Sequence, residues 1–130
     1  MVVDTSALLA ILLGEPGAER LQGAVLSATT RRVSVATVLE ASLVLVSRLG
    51  EQSDLELDAL LRELALEVLP VTADQLRIAR DAAVAFGRGR HAAGLNYGDL
   101  FGYALAVSLG EPLLFVGEDF SKTDVMVAAW

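Results

Sequence analysis

The chain alternates between short, mostly apolar runs and longer runs whose apolar residues recur at helical spacing. The short runs are typical of strands buried on both faces, and they fall at residues 1–3, 31–35, 68–71 and 113–116. The longer runs predict helices over residues 7–13, 18–28, 36–49, 54–66, 73–86 and 96–109. Short strands separated by helices indicate an α/β fold, with a central parallel sheet flanked by helices.

Length and composition predict one domain over residues 1–130. The chain has 130 residues, of which 54% are hydrophobic and 21% charged, and it shows no repeat, low-complexity run or proline-rich linker. A chain of this size buries enough surface to fold around a single core. It has no cysteine, which excludes disulfides, thiolate zinc sites and a cysteine nucleophile.

The charge balance restricts the partners. Seventeen acidic against ten basic residues give a net charge of −7, so binding to nucleic acid requires a bound cation or a local basic patch. The start of the chain lacks the features of a secretory signal, and the longest apolar tract, Val33 to Ser47, is interrupted by Glu40. We therefore expect a cytoplasmic protein that does not associate with membranes.

Three acidic residues stand at unusual places in the pattern. Asp4 directly follows the first predicted strand, where capping of the next helix is the plainest interpretation. Glu40 is the only charge between Val33 and Ser47, and Asp99 is the only one from Ala92 to Gly110. A carboxylate on so apolar a helix must be paired, desolvated or metal-bound, because an uncompensated buried charge is costly.

Two further acids follow the last predicted strand. Asp119 comes shortly after the apolar run 113–116, and Asp124 follows five residues later. In proteins built on a parallel α/β sheet, ligands bind just beyond the carboxyl ends of the strands. We therefore interpret the acids as parts of one pocket rather than as unrelated surface charges, although either residue taken singly fits an ordinary loop.

A pocket of carboxylates without histidine or cysteine suits Mg²⁺, with Mn²⁺ as a substitute. Such a cation relieves the mutual repulsion of the carboxylates and allows an acidic protein to act on an anionic substrate. Bound next to a phosphodiester, one or two ions can orient a water and stabilise the departing oxygen.

Four ordered segments then carry a family resemblance: Val-Val-Asp-Thr-Ser-Ala-Leu at the start, Glu40 in the third helix, Leu-Asn-Tyr-Gly-Asp-Leu ending in Asp99, and Gly-Glu-Asp-Phe-Ser-Lys-Thr-Asp near the end. The sequence resembles PIN domains, specifically the VapC toxins of bacterial type II toxin–antitoxin pairs, over nearly its whole length. The resemblance implies a three-layer sandwich and an Mg²⁺-dependent endoribonuclease that cleaves RNA, tRNA or rRNA in particular, and inhibits translation.

The resemblance also assigns roles to single residues. It implies that Asp4, Glu40, Asp99 and a fourth acid form the catalytic and metal site, with Asp4 and Asp99 as direct ligands. Many relatives place the fourth acid immediately after the last strand, where this chain has Gly117. We favour Asp119 for this role, with Asp124 as the alternative.

Two further residues match the family pattern as supports: Ser6 beside the first acid and Asn96 before the third. The family's usual partners are a VapB-type antitoxin, whose carboxyl-terminal segment covers the pocket, and a second toxin copy. The resemblance thus implies a homodimer and a toxin–antitoxin hetero-oligomer.

The most basic stretch of the chain lies just before Asp99. In it, Arg88 and Arg90 are candidate contacts to RNA phosphates, with an ordinary solvated loop as the alternative. A metal-activated water needs no histidine base, so we assign no catalytic role to His91. Arg31 and Arg32 are interpreted as surface charges where the second strand begins.

Two other classes of function compete with the nuclease. A metal-dependent phosphatase of α/β fold would be expected to start with Asp-x-Asp, but Asp4 is followed by Thr5 and Ser6. A non-catalytic cation-binding module of the receiver type would be expected to carry a lysine after a late strand, but the only lysine is Lys122. Both alternatives match less well than the nuclease.

Overall fold

The computed structural model describes all residues from Met1 to Trp130. In chain order the elements are β1 (Val2–Val3), α1 (Thr5–Leu12), α2 (Ala18–Ser27), β2 (Arg32–Ser34), α3 (Val35–Leu49), α4 (Ser53–Glu63), β3 (Glu67–Leu69), α5 (Ala73–Phe86), α6 (Asp99–Leu109), β4 (Leu113–Leu114) and a 3₁₀ turn (Phe120–Lys122). The strands form one sheet in the order β3-β2-β1-β4, and every pair is parallel. The predicted parallel sheet is confirmed.

The two faces of the sheet carry separate apolar cores. In β1, Val3 contributes to a core shared with α1 to α4, whereas Val2 contributes to the core shared with α5 and α6. In β4, Leu114 and Leu113 divide in the same way. Successive residues of a strand point to opposite faces, so two apolar residues in a row require helices on both sides. The predicted three-layer arrangement is confirmed.

The order of the strands places a switch point beside β1. The chain moves outward from β1 to β2 to β3, then crosses back through α5 and α6 to place β4 on the other side of β1. Loops that leave two neighbouring strands in opposite directions open a crevice at their carboxyl ends. Asp4 follows β1 at this point.

Several predicted boundaries differ from the observed ones, and three of the differences have a local reason. Helix α4 ends at Glu63 instead of residue 66, because Ala65 adopts a positive φ of 49° and its amide bonds back to Arg62. Helix α6 begins at Asp99, after a capping turn. The last strand is only two residues long, because the amide of Val116 bonds to the Ser6 hydroxyl instead of to the sheet.

Arg31 and Arg32 lie where β2 begins and are partly exposed, as interpreted, but both are paired rather than free. Arg32 forms ion pairs with Glu111 and, at 3.1 Å, with Glu67. Arg31 donates to three backbone carbonyls, including that of Leu26 at 2.6 Å. Both arginines connect loops where β2 begins, so they lie at the opposite end of the sheet from Asp4.

None of the helices is long and apolar enough to cross a bilayer.

Candidate active site

Asp4 lies at the carboxyl end of β1 and caps α1. It is 3% exposed, and its Oδ2 accepts hydrogen bonds from the Ser6 amide at 2.9 Å and the Ser6 hydroxyl at 2.7 Å. Its other oxygen, Oδ1, is buried and has no hydrogen-bond partner. The capping interpretation is confirmed for Oδ2, while Oδ1 remains available to a ligand.

Burial raises the pKa of Asp4 to about 6. The two hydrogen bonds from Ser6 oppose this rise, and the negative charges of Asp99 and Glu40 add to it. A buried carboxylate that faces other acids is electrostatically unfavourable until a cation neutralises it. The three acids predicted to converge are therefore close enough to act on one another.

Ser6 joins the ends of two neighbouring strands. While its hydroxyl donates to Asp4, its oxygen accepts from the amide of Val116 at 3.0 Å. Val116 lies two residues after β4, so the hydroxyl bridges β1 and β4 across the switch point. The contact expected between Ser6 and the first acid is present.

Asp99 is held in a reciprocal capping box at the start of α6. The amide of Asn96 donates to Asp99 Oδ2 at 2.7 Å, and the Asn96 side-chain oxygen accepts from the amides of Gly98 and Asp99. Burial raises the pKa of Asp99, with further contributions from the charges of Glu40 and Asp119. Asp99 is only half-buried, so its carboxylate remains accessible to a cation.

Glu40 reaches the site from α3 and is oriented by two residues that the sequence did not single out for this purpose. Thr5 donates a hydrogen bond of 2.6 Å to Glu40 Oε2. Gly98 lies directly against the same carboxylate, and a Cβ atom at this position would overlap it.

A second glycine, Gly102, lies one turn further along α6, and a Cβ atom there would come within 3.0 Å of Asp4 Oδ1. Gly98 and Gly102 thus make room for the first two acids. The sequence did contain a sign of this close packing. Two glycines four residues apart weaken a predicted helix, so their presence suggests that another group packs closely against them.

The two candidates for the fourth acid differ in their surroundings. Asp119 is exposed, and its charge contributes to the raised pKa of Asp99. Asp124 accepts a hydrogen bond of 2.6 Å from the hydroxyl of Tyr103. Burial raises the pKa of Tyr103, as does its acidic neighbour, so the phenol stays protonated and acts as a donor.

The basic loop lies next to the acids. Arg88 and Arg90 are exposed, and the positive charge of Arg88 acts on Asp99. The loop has a defined shape, because Phe86 and Arg88 exchange backbone hydrogen bonds with Leu95 and His91 Nδ1 accepts from the amide of Ala93 at 3.1 Å. Arg88 is therefore close to Asp99, and Arg90 is exposed on the same loop.

The donor set suits a hard divalent cation. No three acidic side chains lie close enough together to enclose an ion by themselves. Mg²⁺ is commonly bound by one or two carboxylates and keeps several waters. A free buried oxygen on Asp4, together with a half-buried Asp99 whose charge acts on Asp4, fits that kind of coordination.

Comparison with known proteins identifies the family of the chain. The sequence profile of the PIN domain matches residues 1–126. A VapC ribonuclease of Mycobacterium bovis is 50% identical over 129 residues, covering 99% of this chain and 98% of the relative. The chain therefore belongs to the PIN-domain family, in its VapC ribonuclease branch. Nucleases of this family generally use a divalent metal ion.

Solved structures show the same fold at low sequence identity. The crystal structure of VapC20 from Mycobacterium tuberculosis, a sarcin–ricin loop cleaving toxin, superposes with a TM-score of 0.77 at 22% identity, covering 96% of this chain and 95% of the other. VapBC2 from Rickettsia felis, bound to a promoter DNA fragment, gives a TM-score of 0.76 at 15% identity, covering 97% and 94%. The predictions of a PIN fold and of a VapC-type ribonuclease are confirmed.

Proposed function

We propose that this protein is the toxin of a type II toxin–antitoxin pair, a cytoplasmic Mg²⁺-dependent endoribonuclease that inhibits translation by cleaving structured RNA. The observation that carries the proposal is the unpartnered, buried Oδ1 of Asp4 at the switch point of a parallel sheet, in a carboxyl group whose pKa is raised by burial and by the charges of Asp99 and Glu40. A buried carboxylate oxygen without a donor is costly, and a hydrated cation removes that cost.

In this proposal Asp4 and Asp99 hold the metal, and Glu40 and Asp119 complete the site. Ser6 fixes Asp4 through Oδ2, which leaves Oδ1 for the cation. Asn96 fixes Asp99 in the same manner. When bound, the divalent ion supplies an activated water and stabilises the charge of the departing oxygen.

Glu40 orients the attacking water and holds the proton that this water gives up. Thr5 donates to Glu40 Oε2 and Gly98 lies against Oε1, so in this proposal Oε1 is the atom left to accept that proton. Arg88 and Arg90 supply the positive charge that an acidic protein needs to hold an RNA backbone.

The VapBC2 neighbour supports an antitoxin partner. A groove of about 300 Å³ beside Glu40 is lined by apolar side chains of α3 and α6, including Leu39, Leu43 and Phe101. Tyr97 at its edge is 80% exposed. Such a groove next to an acidic pocket suits a peptide with apolar residues and an arginine.

We further propose that the toxin forms a homodimer and that the antitoxin is encoded by the reading frame immediately upstream. Light scattering of the toxin alone and of the co-expressed pair gives both masses. A monomeric toxin would rule out the homodimer. An upstream product that fails to inhibit RNA cleavage would rule out the proposed antitoxin.

The nuclease is tested with Asp4→Asn and Asp99→Asn against the wild type. We expect Mg²⁺-dependent cleavage of structured RNA by the wild type, no measurable cleavage by either variant, and retained helical circular dichroism in both. Hydrolysis of a generic phosphomonoester in place of RNA would support the phosphatase instead. Cation binding without any hydrolysis would support the non-catalytic module.

A further inference from the structure

We propose that Tyr103 and Asp124 form a positioning pair that holds the loop of Asp119 against the first turns of α6. The inference rests on the nuclease site proposed above, and it assigns different roles to the two candidate fourth acids: Asp119 faces the cation, whereas Asp124 serves as an anchor. The pair is joined by the hydrogen bond of 2.6 Å from the Tyr103 hydroxyl to Asp124 Oδ1.

Tyr103 is a rigid attachment point. Its side chain is 5% exposed, and its ring packs against Phe86 with 6.0 Å between the ring centroids. On α6 it follows Asp99 by four residues, so both side chains project from the same face of the helix. A group bonded to Tyr103 is therefore fixed relative to Asp99.

The loop over residues 117–124 has one polar connection to the rest of the protein. Its other hydrogen bonds lie within residues 117–125, such as those from the Lys122 amide to Asp119 and from the Thr123 hydroxyl to Phe120. On either side of Asp124, Phe120 and Val125 are buried in the core that contains Tyr103. These apolar contacts, and the backbone hydrogen bonds of Leu113 with Met126 and Ala128, hold the end of the loop in place, and the Tyr103–Asp124 bond is the directional contact of the loop itself.

The orientation of the loop determines where Asp119 points. The chain reaches Asp119 through Gly117, whose φ of 106° makes a sharp turn, and Asp119 immediately precedes the 3₁₀ turn. Asp119 is exposed and its side chain makes no capping hydrogen bond to the 3₁₀ turn, so its carboxylate is free. An oxygen of Asp124 is already occupied by the phenol, which agrees with an anchoring role.

Four variants separate the anchor from the ligand: Tyr103→Phe, Asp124→Ala, Asp124→Asn and Asp119→Asn. Hydrogen–deuterium exchange of residues 117–124 measures the order of the loop. Calorimetric titration with Mn²⁺ measures metal affinity without any turnover. RNA cleavage against Mn²⁺ concentration measures the effect on function.

We expect Tyr103→Phe and Asp124→Ala to speed exchange in the loop by about tenfold or more, because each removes a hydrogen bond to a charged acceptor. Both should bind Mn²⁺ more weakly and need more of it for half-maximal cleavage. Asp124→Asn keeps an acceptor oxygen and should restore most of the loop protection and metal affinity. Asp119→Asn should weaken Mn²⁺ binding while loop exchange stays at the wild-type rate.

Two results would overturn the proposal. One is wild-type loop exchange in Tyr103→Phe, which would show that the bond does not order the loop. The other is an Asp124→Asn variant that binds Mn²⁺ as poorly as Asp119→Asn with its loop still protected, which would make Asp124 a ligand. A wild type that neither binds Mn²⁺ nor cleaves RNA would instead refute the proposed function, and the exchange rates would still decide whether the anchor exists.

Discussion

The hydroxyl of Thr5 donates a hydrogen bond of 2.6 Å to Glu40 Oε2, which links the residue after Asp4 to the only acid of α3. Thr5 is the first residue of α1 and is itself buried. The contact joins side chains 35 positions apart. Because it holds Oε2, it also sets the position of the other oxygen of the same carboxylate. Thr5 thus acts on the site through Glu40.

We expect Thr5→Val, which keeps the shape of the side chain, to lower RNA cleavage by about tenfold or more, because a hydrogen bond to a charged group is lost. Thr5→Ser keeps the hydroxyl and should cleave at close to the wild-type rate. Single-turnover cleavage with all three proteins, together with thermal unfolding, checks the expectation. Equal rates for Thr5→Val and the wild type would remove the orienting role.

Gly98 is expected to tolerate no side chain without loss of activity. In Gly98→Ala the new methyl group overlaps the Glu40 carboxylate, which must move. A displacement of about 1 Å at a reacting group can cost about a hundredfold in rate. The displaced group is the end of a flexible side chain, so the variant should still fold.

Two other glycines provide graded controls for Gly98→Ala. Gly102→Ala brings a methyl group to 3.0 Å from Asp4 Oδ1 and should have a smaller effect on cleavage. Gly23→Ala on α2 meets nothing within 4 Å, and it should leave cleavage unchanged while stabilising the fold by about 0.5–1 kcal/mol. If all three variants cleave alike, the close approach at Gly98 has no functional consequence.

Asp4 should make the metal-free protein less stable as pH rises. Its pKa is about 6 in the folded protein against 3.8 for the free group. Between these values the folded state keeps a proton that the unfolded state releases, so the free energy of unfolding falls across this window and stays low above it. A shift of this size corresponds to about 3 kcal/mol at most.

Asp4→Asn removes that penalty. In EDTA at pH 7.5 the variant should unfold at a higher temperature than the wild type, and its advantage should shrink to about half at pH 5. Adding Mg²⁺ should stabilise the wild type and not the variant, because only the wild type offers the ligand. A variant that is no more stable than the wild type at pH 7.5 would contradict the cost assigned to the buried Asp4 carboxylate with its unpartnered Oδ1.

Arg88→Ala combined with Arg90→Ala should weaken RNA binding and reduce its dependence on salt. Each phosphate contact contributes close to one unit to the slope of log K against log salt, so the double variant should lose about one to two units. As a control, Arg48→Ala with Arg62→Ala makes the same change in net charge at exposed positions in the last turns of α3 and α4. Identical slopes for the two double variants would show that the loop has no special role.

The order of the elements could be predicted from the sequence because apolar spacing is a local property. The pairs Val2 and Val3, and Leu113 and Leu114, indicated strands covered on both faces, and the sheet between two helical layers agrees. Element ends were less accurate. The apolar pattern runs on through Leu66, whereas the helix stops at Glu63, because burial and helical geometry are separate requirements. The single-domain interpretation of residues 1–130 stays a prediction.

Part of the candidate site could be predicted because an isolated charge within an apolar run can be recognised from the sequence alone. Asp4, Glu40 and Asp99 stood out for that reason, and the fold brings them within electrostatic reach of each other. Their assignment as metal ligands stays a prediction. Asp119 and Asp124 could not be separated, because nothing in the sequence shows that a phenol 21 residues earlier occupies Asp124.

The sequence by itself determined which residues are apolar, the order of the helices and strands, and which acids interrupt apolar runs. Only the tertiary structure decided that Thr5 and Gly98 shape Glu40, that Asp4 keeps one free oxygen, and that Asp124 is bound to Tyr103. The physical reason is distance along the chain. Periodicity reports interactions within a few residues, whereas these contacts depend on how α1, α3, α6 and the last loop pack around the end of the sheet.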